Sequence, residues 1–175
     1  MLATAPPRPP NDLHMSDTAP VRVTARGDYA IRAAVELAAA GGASRKVAEV
    51  AAAQQIPPRF LENILLALRR AGLVQSRRGA EGGFRLARDP REITLADILR
   101  AVEGPLANVQ GIAPDRLSYG GPAQPLREVW VAVRASVRVV LERVTLADVV
   151  SGELPPEVHA LIADPEAWRV HIPGR

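Results

Sequence analysis

Two clusters of side chains in this chain are typed and spaced for chemistry on a polyanion. The first is Arg59, Phe60, Glu62 and Asn63. Arginine can give two hydrogen bonds to the edge of guanine, a carboxylate can accept from the cytosine amine, and asparagine can read adenine. The second is Arg77, Arg78 and Gly79, with Gly82 and Gly83 just beyond. Glycine lets a backbone turn tightly and come close to phosphates, and arginine is the side chain that a narrow minor groove attracts. A nucleotide phosphate loop is excluded for this second cluster. No Gly-Lys-Ser/Thr follows, and the chain runs into a strand-like segment rather than a helix. The partner these residues suit is double-stranded DNA.

The elements needed to hold them can be read from periodicity. Ile31, Ala34, Val35 and Ala38 predict a helix over 29–40, stopped by Gly41 and Gly42. A short Ala-rich helix is predicted over 47–54. Residues 55–57 are a turn, and a third helix over 58–71 opens on Pro58, whose missing N–H costs nothing in the first turn. Leu61, Ile64, Leu65 and Leu68 form its inner face, which leaves Arg59, Phe60, Glu62 and Asn63 at its outer N-terminal end. Two helices joined by about three residues make a helix-turn-helix, whose second helix enters the major groove by its N-terminal residues. Two short alternating runs, 73–76 and 84–87, flank the Gly-rich basic loop and predict a β-hairpin wing. A further helix is expected over 93–102. A merely solvated helix face is the alternative for the first cluster. The short helix before it and the basic wing after it favour the groove.

The fold class is therefore mainly α with a small β-hairpin wing: a winged helix-turn-helix followed by a long C-terminal helix. The expected divisions are a disordered Pro-rich N-terminal tail (1–20), the winged helix-turn-helix (21–104), a loop (105–124), a dimerisation helix with its cap (125–151) and a C-terminal tail (152–175). Met15 is a second candidate start. No internal repeat is expected. The long helix, over 125–144, carries Leu126, Val129, Trp130, Val133, Val137, Val140, Leu141 and Val144 in a spacing close to a heptad, a seam suited to a second copy of the chain, with intramolecular core as the alternative. In the loop, Asn108, Gln110, Arg116 and Tyr119 are candidates to line an effector pocket, with a solvated linker as the alternative.

Composition narrows the classes. The 175 residues carry a net charge of +3, but 21–104 hold 14 Lys+Arg against 9 Asp+Glu, a local excess of five. That concentration suits a nucleic-acid partner. All basic residues except Lys46 are arginine, which a GC-rich genome would also produce, so position must decide. There is no cysteine, and the three histidines lie near the two ends. Thiolate-held clusters, Cys-ligated zinc and cysteine nucleophiles are excluded, no cofactor is expected, and no nucleophile–base set for an enzyme can be assembled. No apolar run approaches the ~18 residues of a membrane span, so no membrane partner is expected and a cytoplasmic location is the default. A winged helix that binds a protein instead of DNA is the reading from another class. Charge reversal at Arg77 and Arg78 separates the two.

Several motifs occur in the order of one known family. Thr24-Ala25-Arg26-Gly27-Asp28-Tyr29-Ala30, the run from Ile56 to Leu65, the run Leu68-Arg69-Arg70-Ala71-Gly72-Leu73-Val74 leading into 76–87, Ile93-Thr94-Leu95-Ala96-Asp97-Ile98 and Thr145-Leu146-Ala147-Asp148 together resemble the Rrf2 family of bacterial transcriptional regulators. The resemblance covers residues 21–151. It implies a homodimer of winged helices on palindromic operators, usually a repressor, with bases read from Arg59, Phe60 and Glu62 and a wing arginine at Arg78. Many members hold an iron–sulfur cluster through three cysteines in the loop before the dimer helix. The matching stretch here has none, so the resemblance is to the cluster-free branch. The turn departs too: Gln55 and Pro57 stand where the family favours Gly and Ser. A left-handed Gln55 costs about 1 kcal/mol. Pro57 cannot supply a side-chain cap, which is worth about the same.

Overall fold

A computed structural model describes residues 23–79 and 82–169. The expected N-terminal tail, 1–20, lies outside the described residues. The chain folds as α1 (Ala25–Ala39), α2 (Val47–Gln54), α3 (Pro58–Arg70), β1 (Val74–Arg77), β2 (Gly83–Leu86), α4 (Leu95–Glu103), α5 (Leu126–Leu141), α6 (Leu146–Ser151) and α7 (Pro156–Ile162), with short 3-10 turns between them. Helix α1 starts four residues earlier than its apolar period predicts. Thr24 caps it, its hydroxyl accepting from Gly27 N–H at 3.1 Å.

Helix α1 is the spine of the core. Ala30, Ala33, Ala34 and Leu37 are buried against Val50 and Ala51 of α2, Leu61, Ile64, Leu65 and Leu68 of α3, and Ile98 and Val102 of α4. Gly27 allows the closest approach: a Cβ there would sit 2.8 Å from Leu99 Cδ2 of α4. Antiparallel β1 and β2 pair Val74 with Leu86 and Arg77 with Gly83. The hairpin gains a third partner that the sequence does not announce. Arg45 pairs with Phe84 through two backbone bonds of 2.8 Å, tying the wing to the stretch before α2. Gly83 sits at φ +149, and a Cβ there would run into the Arg45 carbonyl, so only glycine fits that crossing.

Three expectations need correction. The long helix ends at Leu141, not Val144, and the last seam residue lies beyond it. The stretch after Gly152, expected as a tail, contains α7 and a 3-10 turn at Pro165–Trp168, started by Pro156 and Pro165 in first-turn positions where proline is tolerated. The third concerns repeats. Ile93-Thr94-Leu95-Ala96-Asp97-Ile98 and Val144-Thr145-Leu146-Ala147-Asp148-Val149 are the same motif 51 residues apart. Each threonine accepts from the backbone N–H of its aspartate, and each aspartate accepts from the N–H of its threonine. The two caps face one another with twofold regularity: Leu95 N–H donates to Val144 C=O and Leu146 N–H to Ile93 C=O, both at 2.9 Å. Residues 144–151 thus rejoin the winged helix, with Leu146 fully buried in its core, while α5 stands outside it.

Candidate nucleic-acid interface

The recognition end of α3 is set by a turn that breaks two local rules and is braced from α1. Gln55 lies at φ 54, ψ 42, in the left-handed region. Pro57 makes no side-chain cap, but its carbonyl accepts from Phe60 N–H and Leu61 N–H, each at 3.0 Å. The brace is Arg32, whose Nη2 donates to the Gln54 carbonyl next to the strained residue. Gln54 Nε2 in turn donates to Glu36 Oε2 at 2.9 Å. Two side chains of α1, one turn apart, therefore fix the entry to α3.

Leu61, Ile64, Leu65 and Leu68 are buried, and Arg59, Phe60, Glu62 and Asn63 are all exposed on the opposite side of α3. Phe60 is also held from α1. Its ring meets Tyr29 of α1 edge-on, with centroids 5.8 Å apart, and the Arg32 guanidinium lies 5.5 Å from the Tyr29 centroid. One flank of Phe60 is thus held by α1 while 40% of the residue stays exposed. Beside it runs a groove of about 350 Å³ lined by Arg26, Phe60, Asn63, Ile64, Leu66, Ala67 and Arg70. Arg26 and Arg70 were not among the residues predicted. Their signal was available: Arg26 sits in the first turn of α1, and Arg70 falls seven residues after Asn63, two turns along the same face.

The wing is coupled to α3 with little slack. Leu73 N–H donates to Leu68 C=O at 3.0 Å, Ala87 N–H to Leu73 C=O at 3.0 Å, and Arg69 Nη1 to Ser76 Oγ at 3.2 Å. Arg77 ends β1, and Arg78 and Gly79 follow it, all three exposed. Gly79 turns at φ +106 and its carbonyl accepts from Gly82 N–H at 2.9 Å. A Cβ on Gly82 would lie 2.6 Å from that carbonyl oxygen and 2.7 Å from that of Arg77.

Charge is distributed unevenly. Among the described residues, Arg26, Lys46, Arg59, Arg69, Arg70, Arg77, Arg78, Arg85 and Arg88 make no ion pair. The other arginines are mostly engaged: Arg32 with Asp28, Arg45 with Glu36, Arg91 with Asp89, Arg100 and Arg138 with Glu142, Arg134 with Asp115, Arg143 with Glu157, Arg169 with Glu166. Hydrogen bonds from Arg138, then Arg100, hold the Glu142 carboxyl below its ordinary range, and Arg134 does the same for Asp115. Within the winged helix, Arg32, Arg45, Arg91 and Arg100 are paired, whereas the guanidinium groups of α3 and the wing make no ion pair among the described residues.

The predicted seam divides. Leu126 and Val129 are exposed, and Trp130, Val133, Val137, Val140 and Leu141 are half-buried, so α5 buries no residue fully. Val144, by contrast, is buried within the chain, two residues past the C-cap of α5 and bonded through its carbonyl to Leu95. Of the loop candidates, Asn108 lines a cavity, described below, whereas Gln110, Arg116 and Tyr119 do not.

Residues 23–152 match the Rrf2 family, described as iron-dependent transcriptional regulators. The donor set of this chain does not fit an iron centre at the loop. There is no cysteine, and the one carboxylate in 105–124, Asp115, is tied to Arg134 at 2.7 Å. No group of three His, Cys, Asp or Glu converges among the described residues. Among them, too, no helix is long and apolar enough to cross a membrane. A relative in Mycobacterium tuberculosis, Rv1287, named as an HTH-type transcriptional regulator, is 52% identical over 145 residues, covering 82% of this chain and 90% of that protein. The structure of CymR, titled the global cysteine regulator of Bacillus subtilis, superposes with a TM-score of 0.64 at 34% identity, over 75% of this chain and 97% of that one. IscR of T. potens gives a TM-score of 0.61, also at 34% identity, over 75% and 87%. This chain belongs to the Rrf2 family of helix-turn-helix transcriptional regulators, as a member without cysteine.

Proposed function

We propose that the chain is a homodimeric, sequence-specific DNA-binding repressor of palindromic operators that works without an iron–sulfur cluster and is not an enzyme. The observation that carries this reading is the run of uncompensated arginines on a recognition helix and a wing fastened to each other by backbone bonds. Arg59, Glu62 and Asn63 read base edges in the major groove, and Phe60 packs against the bases or sugar while anchored on Tyr29. Arg77, Arg78 and Gly79 enter the adjoining minor groove. Arg26 and Arg70, which line the groove next to Asn63, hold phosphates. The second copy covers the seam Leu126, Val129, Trp130, Val133, Val137, Val140 and Leu141. Two recognition helices about 34 Å apart, or a multiple of that, then meet successive major grooves on one face of the duplex. Its place of work is the cytoplasm, on the chromosome.

Genomic footprinting of the tagged chain tests the reading. The expected result is a small set of sites with an inverted repeat, overlapping promoters, bound at least about 10³-fold more tightly than random DNA. Arg59→Ala should cost about 1–3 kcal/mol and relax the preference at one base pair per half-site. Sedimentation should give twice the 18.7 kDa chain mass, and Val133→Asp should return the monomer. Equal affinity for random DNA, or a monomer at micromolar concentration, refutes the respective half.

A further inference from the structure

A second cavity, of about 230 Å³, lies where the winged helix meets α5. It is lined by Arg100 of α4, Pro105, Leu106, Asn108 and Ala113 of the loop, and Arg134 and Arg138 of α5. Arg134 and Arg138 are four residues apart and so project from one face of α5. Three guanidinium groups on one small cavity face two carboxylates, Glu142, shared by Arg100 and Arg138, and Asp115, held by Arg134. Arg127 also donates to the Asp115 carbonyl at 3.1 Å, and Arg116 adds its charge beside Asp115. The positive excess is local: residues 105–175 as a whole hold 7 Lys+Arg against 8 Asp+Glu. A planar, forked donor matches carboxylate and phosphate oxygens two at a time. Asn108, one of the lining residues, carries a further unmet requirement. Asn108 Oδ1 is buried and accepts no hydrogen bond, although its Nδ2 donates to Gly111 C=O at 3.4 Å. A buried acceptor of this kind calls for a donor.

We propose that this cavity binds a compact anion, a carboxylate or phosphate with a hydroxyl or ammonium donor beside it. The anionic group is held by Arg134 and Arg138, and the donor satisfies Asn108. The cavity is small for a drug-sized molecule and suits a metabolite of a few heavy atoms. Its walls come from α4, which packs on the spine of the winged helix, and from α5, which carries the seam. A ligand that competes with Glu142 for Arg100 and Arg138 therefore resets α5 against the DNA-reading unit. This regulatory consequence rests on the function proposed above; the binding site does not.

Isothermal titration of the full chain with lactate, malate, glycine, inorganic phosphate and propionate is the direct test. At least one of the first four should bind with a Kd below about 1 mM, and lactate should bind more tightly than propionate, which lacks the donor. Arg134→Gln or Arg138→Gln should weaken that binding about tenfold or more. Asn108→Leu, which leaves every ion pair in place, should erase the advantage of lactate over propionate. The Arg77→Glu/Arg78→Glu variant, altered only at the wing, should bind the probe as the parent does. No binding of any probe up to about 10 mM, or binding lost in the wing variant and kept in Arg134→Gln, overturns the site. Operator affinity measured with and without the probe should change at least threefold in the parent and not in Arg134→Gln. An unchanged affinity overturns the regulatory consequence alone. Failure to bind operator DNA without any probe counts against the proposed function instead.

Discussion

Removing both wing guanidiniums with Arg77→Ala/Arg78→Ala gives the most decisive perturbation. Both residues are exposed and neither has an ion-pair partner among the described residues, so the change should leave folding stability within about 0.5 kcal/mol. Each phosphate contact releases counterions and contributes about 0.9 to the slope of log K against log salt. If each arginine makes one such contact, the double variant should lose about 1.8 from that slope. Between 50 and 200 mM salt, a fourfold change, the parent should then lose about tenfold more affinity than the variant. Fluorescence anisotropy of a labelled operator duplex across that range reads the difference directly. Arg169→Ala serves as the control: Arg169 is largely exposed, yet it pairs with Glu166 at 2.5 Å and lies far along the chain, so its slope should match the parent. A double variant with the parental slope, or an Arg169 variant that loses as much, would show that the wing does not meet the duplex backbone.

Three further outcomes follow from local geometry. Gly83→Ala places a Cβ against the Arg45 carbonyl at φ +149, so urea unfolding should reveal a loss of about 2–3 kcal/mol; a midpoint within error of the parent would mean that the wing does not depend on this crossing. Gln55→Gly relieves a left-handed residue by about 1–2 kcal/mol and returns part of it as unfolded-chain entropy, so the melting temperature should rise by about 1–4 °C, and a fall would refute the strain assigned to this turn. Acid should loosen the fastenings of α5. Glu142 and Asp115 are held below their ordinary values of 4.5 and 3.8 by neighbouring arginines, so the stability they give is full above those values and is lost as pH falls through their lower folded-state values. Melting followed by circular dichroism should therefore decline with pH below about 4.5, and Glu142→Gln/Asp115→Asn should flatten part of that decline; identical profiles would contradict it.

The parts of the fold that were readable from sequence are those in which one physical rule acts alone. The apolar face Leu61, Ile64, Leu65 and Leu68 fixed both the existence of α3 and which of its residues stay outside. The start of α1 was misplaced because Thr24 caps through a side chain, a signal of one residue that the apolar period cannot register. The twin caps at 93–98 and 144–149 were present as letters, but each reads as an ordinary helix start; their relation appears only when the backbone bonds between them are seen. At the site, the exposure of Arg59 was legible because the apolar face of α3 leaves that position outside, and that of Arg77 and Arg78 because they adjoin a glycine turn. The brace of Arg32 and Glu36 on Gln54 was not, since it joins residues 18 to 22 apart whose types have no obligatory partner. The cavity beside the loop was half legible. Asn108 was placed in it, but its arginines come from α4 and α5, and no pattern within the loop points to them.

Arginine content by itself could not have separated these roles, since almost every cation in the chain is arginine. What separates them is the neighbouring carboxylate. Arg134 and Arg138 lie on a helix with Asp115 and Glu142 in reach, so their charge is spent inside the chain. Arg59, Arg77 and Arg78 lie where α3 and the wing place no described carboxylate within ion-pair distance, so their charge is open to a phosphate or a base edge. Glu62, exposed on α3 with no cation paired to it among the described residues, completes the contrast. A carboxylate left unpaired on a basic face would repel a phosphate backbone, and in the proposed function it accepts from a base instead. Glu62→Gln should accordingly raise affinity for random DNA while lowering the ratio of operator to random binding. A uniform gain on both would assign Glu62 to the backbone side of the groove.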